Sequence, residues 1–297
     1  MDLRARAWKR SHSFSHTGFA PERLAAERGA RVSVCLPARN EARTIGPILE
    51  ALLPLRAAGL IDQLVVVDDS SDGTDEIARR LGAEVHRQSN LMPEAGPVLG
   101  KGDAMWRSLS VLNGELICFL DADSEGVGPH YACGLLGPLI TRPELSFVKG
   151  FYRRPFRVGE TTFPDGGGRV TELTARPMLA LFYPELAGFE QPLAGEIAAR
   201  RELLERLPFV TGYGVDIALL IDAWNEVGLE AMAQVDLDVR QNAHQPLRDL
   251  GPMAASVMHA LATRLERDGR LRGPLPALGS EGAPVERPPL ERQREAA

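Results

Sequence analysis

Two short segments carry residues whose types and spacing can do chemistry: Leu36-Pro37-Ala38-Arg39-Asn40-Glu41 and Phe119-Leu120-Asp121-Ala122-Asp123. Each follows a run of apolar, β-prone residues, Val32-Ser33-Val34-Cys35 and Leu116-Ile117-Cys118, so each polar cluster should sit where a buried strand surfaces. In an open α/β sheet that carboxyl edge is where ligands bind. Aspartates also end strands as plain turn formers. Two carboxylates spaced D-x-D after an apolar strand nevertheless suit a hard divalent cation, Mg²⁺ or Mn²⁺, shared between carboxylates and phosphate oxygens. Asp121 and Asp123 are therefore the expected metal and diphosphate site, and the pattern reads as metal-dependent nucleotide-sugar chemistry.

Further clusters extend this reading. Asp68-Asp69-Ser70-Ser71-Asp72-Gly73-Thr74 is a second acidic strand end. One of its carboxylates can accept from a base or ribose while a later one caps the next helix. Gly96-Pro97-Val98-Leu99-Gly100-Lys101-Gly102 invites comparison with a Walker A loop, but its G-x₃-G-K-G spacing is not that of a P-loop. A lysine between glycines just before a helix still brings a cation and free backbone N–H groups together, as a diphosphate requires; the alternative is a flexible turn. Gly166-Gly167-Gly168-Arg169-Val170-Thr171-Glu172 places three glycines, an arginine and a threonine at a helix start, an anion cradle or else a loose loop with a solvated arginine. Tyr152-Arg153-Arg154 and Arg176 add cations, so a small phosphorylated acid would fit as acceptor. His244 stands alone in sequence, and its spacing by itself does not argue for metal ligation.

The elements that must position these residues alternate strand and helix. Strands are expected at Val32–Leu36, Leu64–Val67, Ala83–His86 and Glu115–Leu120, with helices from about Thr44 (its N-cap), from Thr74 through Arg80, and over Lys101–Leu112. Such β-α-β alternation means a mostly parallel sheet with right-handed crossovers. Beyond it come a strand at Ser146–Tyr152, helices at Val170 to about Phe182, Glu196–Arg206 and Val215–Val227, and a strand at Ala233–Val239. The chain divides into an arginine-rich arm (1–30) packing on a neighbour or serving as lead-in, a nucleotide-sugar-binding half (31–125), an acceptor-binding half of the same domain (126–268), and a Pro/Gly/Glu/Arg-rich tail (269–297) that reads as disordered.

At 297 residues and 44% hydrophobic, the chain can bury one large core. Its net charge of −6 argues against a nucleic-acid surface, so any phosphate site must be built from a few placed cations. Cys35, Cys118 and Cys133, an odd number and two of them within strands, read as buried reduced thiols, which suits a cytoplasmic protein. The N-terminal stretch Met1 to His16 lacks the apolar run of a signal peptide, and no window reaches about 18 uninterrupted apolar residues, so no membrane span is expected.

Taken together, the Leu36–Glu41, Asp68–Thr74 and Asp121–Asp123 segments resemble the nucleotide-binding half of glycosyltransferases with the GT-A fold. Gly100–Leu109, Val148–Pro155, Gly166–Leu173, Gln191–Glu196 and Gly212–Asp216 are more specific and resemble the glucosyl-3-phosphoglycerate and mannosyl-3-phosphoglycerate synthases, from about Val32 to Ala260. The resemblance implies a retaining transferase moving glucose or mannose from UDP-glucose, GDP-glucose or GDP-mannose to the 2-hydroxyl of 3-phosphoglycerate, Mg²⁺- or Mn²⁺-dependent and homodimeric. It implies nucleotide contacts by Pro37, Ala38, Arg39, Glu41, Asp69 and Arg240, a donor contact by Lys101, ribose and metal at Asp121, metal at Asp123, and the acceptor phosphate at Gly168, Arg169, Val170 and Thr171. Asp216 would orient sugar hydroxyls, beside Lys101, Asp121 and Asp123 in the catalytic set.

One departure stands out. In related synthases a histidine two residues past an arginine completes the metal site and an asparagine two further on touches the acceptor, whereas Arg240 is followed by Asn242 and then His244. Imidazole is the better transition-metal ligand, so His244 is expected at the metal and Asn242 at the acceptor; the competing arrangement puts Asn242 or water on the metal and His244 against 3-phosphoglycerate. An inverting GT-A transferase acting on a lipid phosphate, a sugar-nucleotide pyrophosphorylase (no G-x-G-x-R loop is present) and a non-catalytic nucleotide-binding module are the other readings.

Overall fold

A computed structural model describes residues 3–158, 161–163, 166–240, 246–271 and 285–296. Its strands are β1 (Ser13–Ser15), β2 (Val32–Ala38), β3 (Gln63–Asp68), β4 (Glu84–Arg87), β5 (Leu116–Phe119), β6 (Phe147–Arg153), β7 (Phe156–Val158), β8 (Thr161–Phe163), β9 (Ile197–Arg200), β10 (Phe209–Val210), β11 (Met232–Val239) and β12 (Glu286–Arg287). Eight of them form one sheet in the order β1-β11-β6-β9-β5-β2-β3-β4. All neighbours are parallel except at β9, which runs antiparallel to both β5 and β6. This is the mostly parallel, helix-flanked sheet expected of the GT-A fold.

Both faces are covered, which is why the strands read as continuous apolar runs rather than alternating ones. Along β2, Val34 and Leu36 join the core under the helices Ile45–Ala57 and Pro129–Thr141. Cys35, between them, joins the opposite core with Trp106, Phe147, Ile217 and Leu261, under the helices Lys101–Ser108, Val215–Val227 and Leu250–Arg267. All three cysteines are buried and free. Burial drives the Cys35 thiol up to about 12, a packing cysteine rather than a nucleophile.

Several expectations give way. The helix read over Glu196–Arg206 is β9 followed by the helix Arg201–Arg206, because the chain there fills the gap between β5 and β6. The N-terminal arm packs on its own chain: β1 extends the sheet beside β11, and Trp8 buries its ring and donates Nε1–H to Met232 O at 3.0 Å. In the tail read as disordered, the described residues 285–296 are ordered: β12 pairs antiparallel with β10, and the helix Leu290–Ala296 follows. Thr44 holds the N-cap position, but its hydroxyl donates to Ala122 O at 2.6 Å instead of capping the helix, tying the first loop to the D-x-D turn. The helix from Val170 to Phe182 begins as a π-helical turn, Thr171–Ala175, before the α-helix Arg176–Phe182. No helix among the described residues is long and apolar enough to cross a membrane.

Candidate active site at the carboxyl edge of the sheet

The parallel strands β2, β3 and β5 end together, and their loops knit into one rim. Asn40, at φ 60°, turns the chain out of β2. Its N–H donates to Ser70 Oγ at 2.7 Å, and Glu41 N–H donates to Thr74 Oγ1 at 2.9 Å. Asp72 accepts from Ala42 N–H and from Thr74 N–H, both at 3.1 Å, so the later aspartate of that segment serves the helix start. Asp69 is left to the cleft. Antiparallel β9 brings Glu196 beneath this rim, and β11 ends there with Arg240.

Two cations organise four carboxylates. Lys101 Nζ lies 2.7 Å from Asp121 Oδ1 and 3.4 Å from Asp216 Oδ2. Arg240 Nη2 lies 3.0 Å from Asp121 Oδ2 and 2.9 Å from Asp123 Oδ1, while its Nη1 lies 2.5 Å from Glu196 Oε1 and donates to the Tyr152 hydroxyl at 2.6 Å. Tyr152 in turn donates to Glu196 Oε2 at 2.9 Å. Burial alone would push Asp121 upward, but Lys101 and Arg240 outweigh it and hold this carboxyl well below its ordinary range. Burial opposes the Lys101 charge as well, yet Asp121 and Asp216 hold it above the usual lysine value. Both members of the pair are therefore charged at neutral pH.

Lys149 differs. Its ammonium is buried, donates among the described residues to the main-chain oxygen of Asp216 at 3.3 Å alone, and is pushed down to about 8 by burial, against the pull of Asp216. Glycines allow this crowding. A Cβ on Gly195 would stand 2.2 Å from Lys101 Nζ and 2.3 Å from Asp121 Oδ1. One on Gly102 would stand 1.9 Å from Val210 O.

The donor set fits a hard divalent ion. Asp121 and Asp123 converge on a single cationic atom, Arg240 Nη2, and among the carboxylates only oxygen donors are offered. Glu41 is raised by burial and then by the charges of Asp123, Asp72 and Asp121, the mark of a rim short of positive charge. Among the described residues no group of three metal-type side chains forms a closed site, so further ligands would come from elsewhere, such as phosphate oxygens.

The cleft so formed measures about 560 Å³, within the range of sites that enclose a small ligand. Pro37, Ala38, Arg39, Glu41, Asp69, Lys101, Asp121, Asp123, Asp216 and Arg240 line it together with the cradle residues Gly168, Arg169, Val170 and Thr171. Gly168 turns at φ 71°, and Gly167 N–H donates to Arg154 O at 3.1 Å, so the cradle packs on the end of β6. Arg154 lines the cleft, and its buried Nε has no hydrogen-bond partner among the described residues, a donor that suits an anion. Asn242 and His244 lie outside the described residues, so the exchange expected there concerns positions for which no geometry is given.

Three features escaped the sequence. The Glu196–Tyr152 base under Arg240 was hidden because Glu196 was read as the start of a helix. Lys149 sat inside a strand with no visible partner. The apolar wall of Leu250, Met253 and Val257 had a legible signal, since three, four and seven residues separate one face of a helix.

Residues 33–156 match the family described as Glycosyl transferase family 2. The chain is 44% identical over 268 residues to the glucosyl-3-phosphoglycerate synthase of Petrotoga mobilis, covering 87% of this chain and 82% of that protein. It is 46% identical over 244 residues to the glucosyl-3-phosphoglycerate synthase of Mycobacterium tuberculosis, covering 81% and 75%. Among solved structures, mannosyl-3-phosphoglycerate synthase from Rubrobacter xylanophilus superposes with a TM-score of 0.89 at 46% identity, covering 97% of this chain and 98% of that one. The M. tuberculosis glucosyl-3-phosphoglycerate synthase in complex with Mn²⁺, uridine diphosphate and glucosyl-3-phosphoglycerate superposes with a TM-score of 0.82 at 41% identity, covering 93% and 97%.

Proposed function

Because the chain belongs to the glucosyl-3-phosphoglycerate synthase family, we propose that it moves a hexosyl group from a nucleoside diphosphate sugar to the 2-hydroxyl of 3-phosphoglycerate with retention at the anomeric carbon. One observation supports this most: the Lys101–Asp121 pair and the Gly168–Thr171 cradle line a single cleft, so a diphosphate and a second anion can lie side by side. Holding donor and acceptor in one site replaces a bimolecular encounter with a near-attack geometry. The relatives divide between glucosyl and mannosyl transfer, which makes UDP-glucose and GDP-mannose the donors to compare.

A divalent ion held by Asp121 and Asp123 would supply positive charge to the diphosphate. The chain itself does the rest. Lys101, held charged by its two carboxylates, stabilises the negative charge that grows on the departing nucleoside diphosphate. Pro37, Ala38, Arg39, Glu41, Asp69 and Arg240 hold the nucleotide, and Asp216 orients sugar hydroxyls. Gly168, Arg169, Val170 and Thr171 take the acceptor phosphate. The bond from the anomeric carbon to the phosphate oxygen breaks as the bond to the acceptor oxygen forms on the same face, and the departing phosphate takes the hydroxyl proton. His244 at the metal, Asn242 at the acceptor, a homodimeric assembly and a cytoplasmic setting belong to the same proposal.

The test sets purified protein with UDP-glucose, GDP-glucose, ADP-glucose or GDP-mannose against 3-phosphoglycerate, with Mg²⁺, Mn²⁺ or EDTA. The expected result is metal-dependent release of nucleoside diphosphate and a product that keeps the donor's anomeric configuration by NMR. An inverted product, or release of pyrophosphate, would refute the reading.

A further inference from the structure

A buried polar network runs from the C-terminal tail to the residues beside Lys101, and packing alone does not call for it. Asp103 is fully buried two positions past Lys101. Its Oδ2 accepts from Arg107 Nε at 2.8 Å, Gln88 Nε2 at 3.0 Å and Leu99 N–H at 3.1 Å. Its Oδ1 accepts from Arg287 Nε, in β12, at 2.6 Å. The same guanidinium donates to Ala95 O at 2.6 Å and Pro97 O at 3.2 Å, and lies 5.4 Å from the Trp106 ring centroid. Trp106 Nε1–H closes the circuit on Pro288 O at 2.9 Å.

β12 holds the other side of the cleft too. It pairs with β10, and Thr211 N–H donates to Val285 O at 2.9 Å, one step before the Gly212–Gly214 turn that leads to Asp216. Residues 285–288 thus touch both segments whose side chains meet as the Lys101–Asp216 pair, one through Asp103 and one through β10. A guanidinium with three fixed acceptors is stiff in a way that a hydrophobic contact is not.

We infer that Arg287 is a positioning residue, clamping the 95–103 segment so that Lys101 is held against Asp121 and Asp216. The inference rests on the transfer reaction proposed above and adds the tail to its machinery. Arg287→Ala in the full-length chain should lower kcat/KM for the donor about 10- to 100-fold, the usual cost of misplacing a reacting group by about 1 Å, while KM for 3-phosphoglycerate stays put. Millimolar guanidinium should restore part of the lost rate in this variant and none in the wild type. Arg287→Lys keeps the buried charge but cannot span Asp103, Ala95 and Pro97 at once; should the alanine variant not fold, the lysine variant should show the same donor-selective loss at smaller size. Amide hydrogen exchange over residues 98–103, which needs no turnover, should rise in either variant, so failure of the assigned reaction and failure of this inference read differently. A folded variant with unchanged exchange over 98–103, or with unchanged donor kinetics in an enzyme that turns over, overturns it. So does a loss shared equally by donor and acceptor and blind to guanidinium.

Discussion

Gly195→Ala separates stability from turnover. The new Cβ would arrive 2.2 Å from Lys101 Nζ and 2.3 and 2.5 Å from the two Asp121 oxygens, where no carbon can stay. The obstructing atoms are the far ends of side chains and not main chain, so the fold can absorb the methyl by moving the ion pair about 1 Å. Stability should then fall by about 1–3 kcal/mol, the usual cost of one extra carbon in a packed site, and the enzyme stays folded. Turnover has no such freedom: a 1 Å misplacement at the reacting centre costs about 100-fold, or about 2.7 kcal/mol of transition-state stabilisation. The assay pairs denaturant unfolding with steady-state release of nucleoside diphosphate. Gly102→Ala is the contrasting control, since its Cβ would stand 1.9 Å from the main-chain oxygen of Val210, which cannot swing away. That variant should lose stability first. A Gly195→Ala enzyme with wild-type kcat/KM would refute the claim that the Lys101–Asp121 geometry governs the rate.

Asp123→Ala should abolish metal-dependent turnover while leaving the circular dichroism spectrum unchanged; activity that persists in EDTA would defeat the metal assignment. Arg169→Ala should raise KM for 3-phosphoglycerate about 10- to 150-fold, the worth of a charge-assisted contact of about 1.5–3 kcal/mol, with little change for the donor. A shift in donor KM instead would move Arg169 to the other substrate. Lys149 carries a pH signature: its pKa lies at about 8 in the fold against 10.5 unfolded, so between those values the unfolded chain binds the extra proton and stability rises with pH. Below pH 8 both states are protonated and the burial penalty, about 3 kcal/mol, is fully present. Relative to Lys149→Met, the wild type should therefore gain stability between pH 7.5 and pH 10.5 in denaturant titrations. A constant difference across that window would show that the ammonium is not desolvated.

What the sequence disclosed and what it hid follow one physical line. β2, β3 and β5 were legible because strands buried on both faces are unbroken apolar runs, and the helix Val215–Val227 because its period is local. Ile197-Ala198-Ala199-Arg200 misled because alanine favours helix in isolation, whereas its position between β5 and β6 decides otherwise. The site residues on strand ends were visible as types, but not their pairing. Arg240 meets Asp121 across 119 positions and Arg287 meets Asp103 across 184, separations on which neither composition nor period bears. The polar tail looked unable to order itself from its composition, but its residues 286–288 find partners in β10, Asp103 and Trp106.

The position of β11 between β1 and β6 sets the order in which the molecule can be made. β2, β3, β4 and β5 are contiguous in both chain and sheet, so these four strands can pair as soon as β5 and the Asp121–Asp123 turn after it have left the ribosome. β1 must wait with its hydrogen-bonding edge unpaired until β11 appears, a delay of about 10–45 s at 5–20 residues per second. During that interval Trp8 Nε1–H lacks its acceptor, Met232 O, although its ring can meet Phe189 once that residue emerges and Phe14 can already meet Phe19. A nascent chain stalled between β9 and β11 would expose a strand edge at β6 as well, the species on which a holding chaperone or an aggregation partner would act.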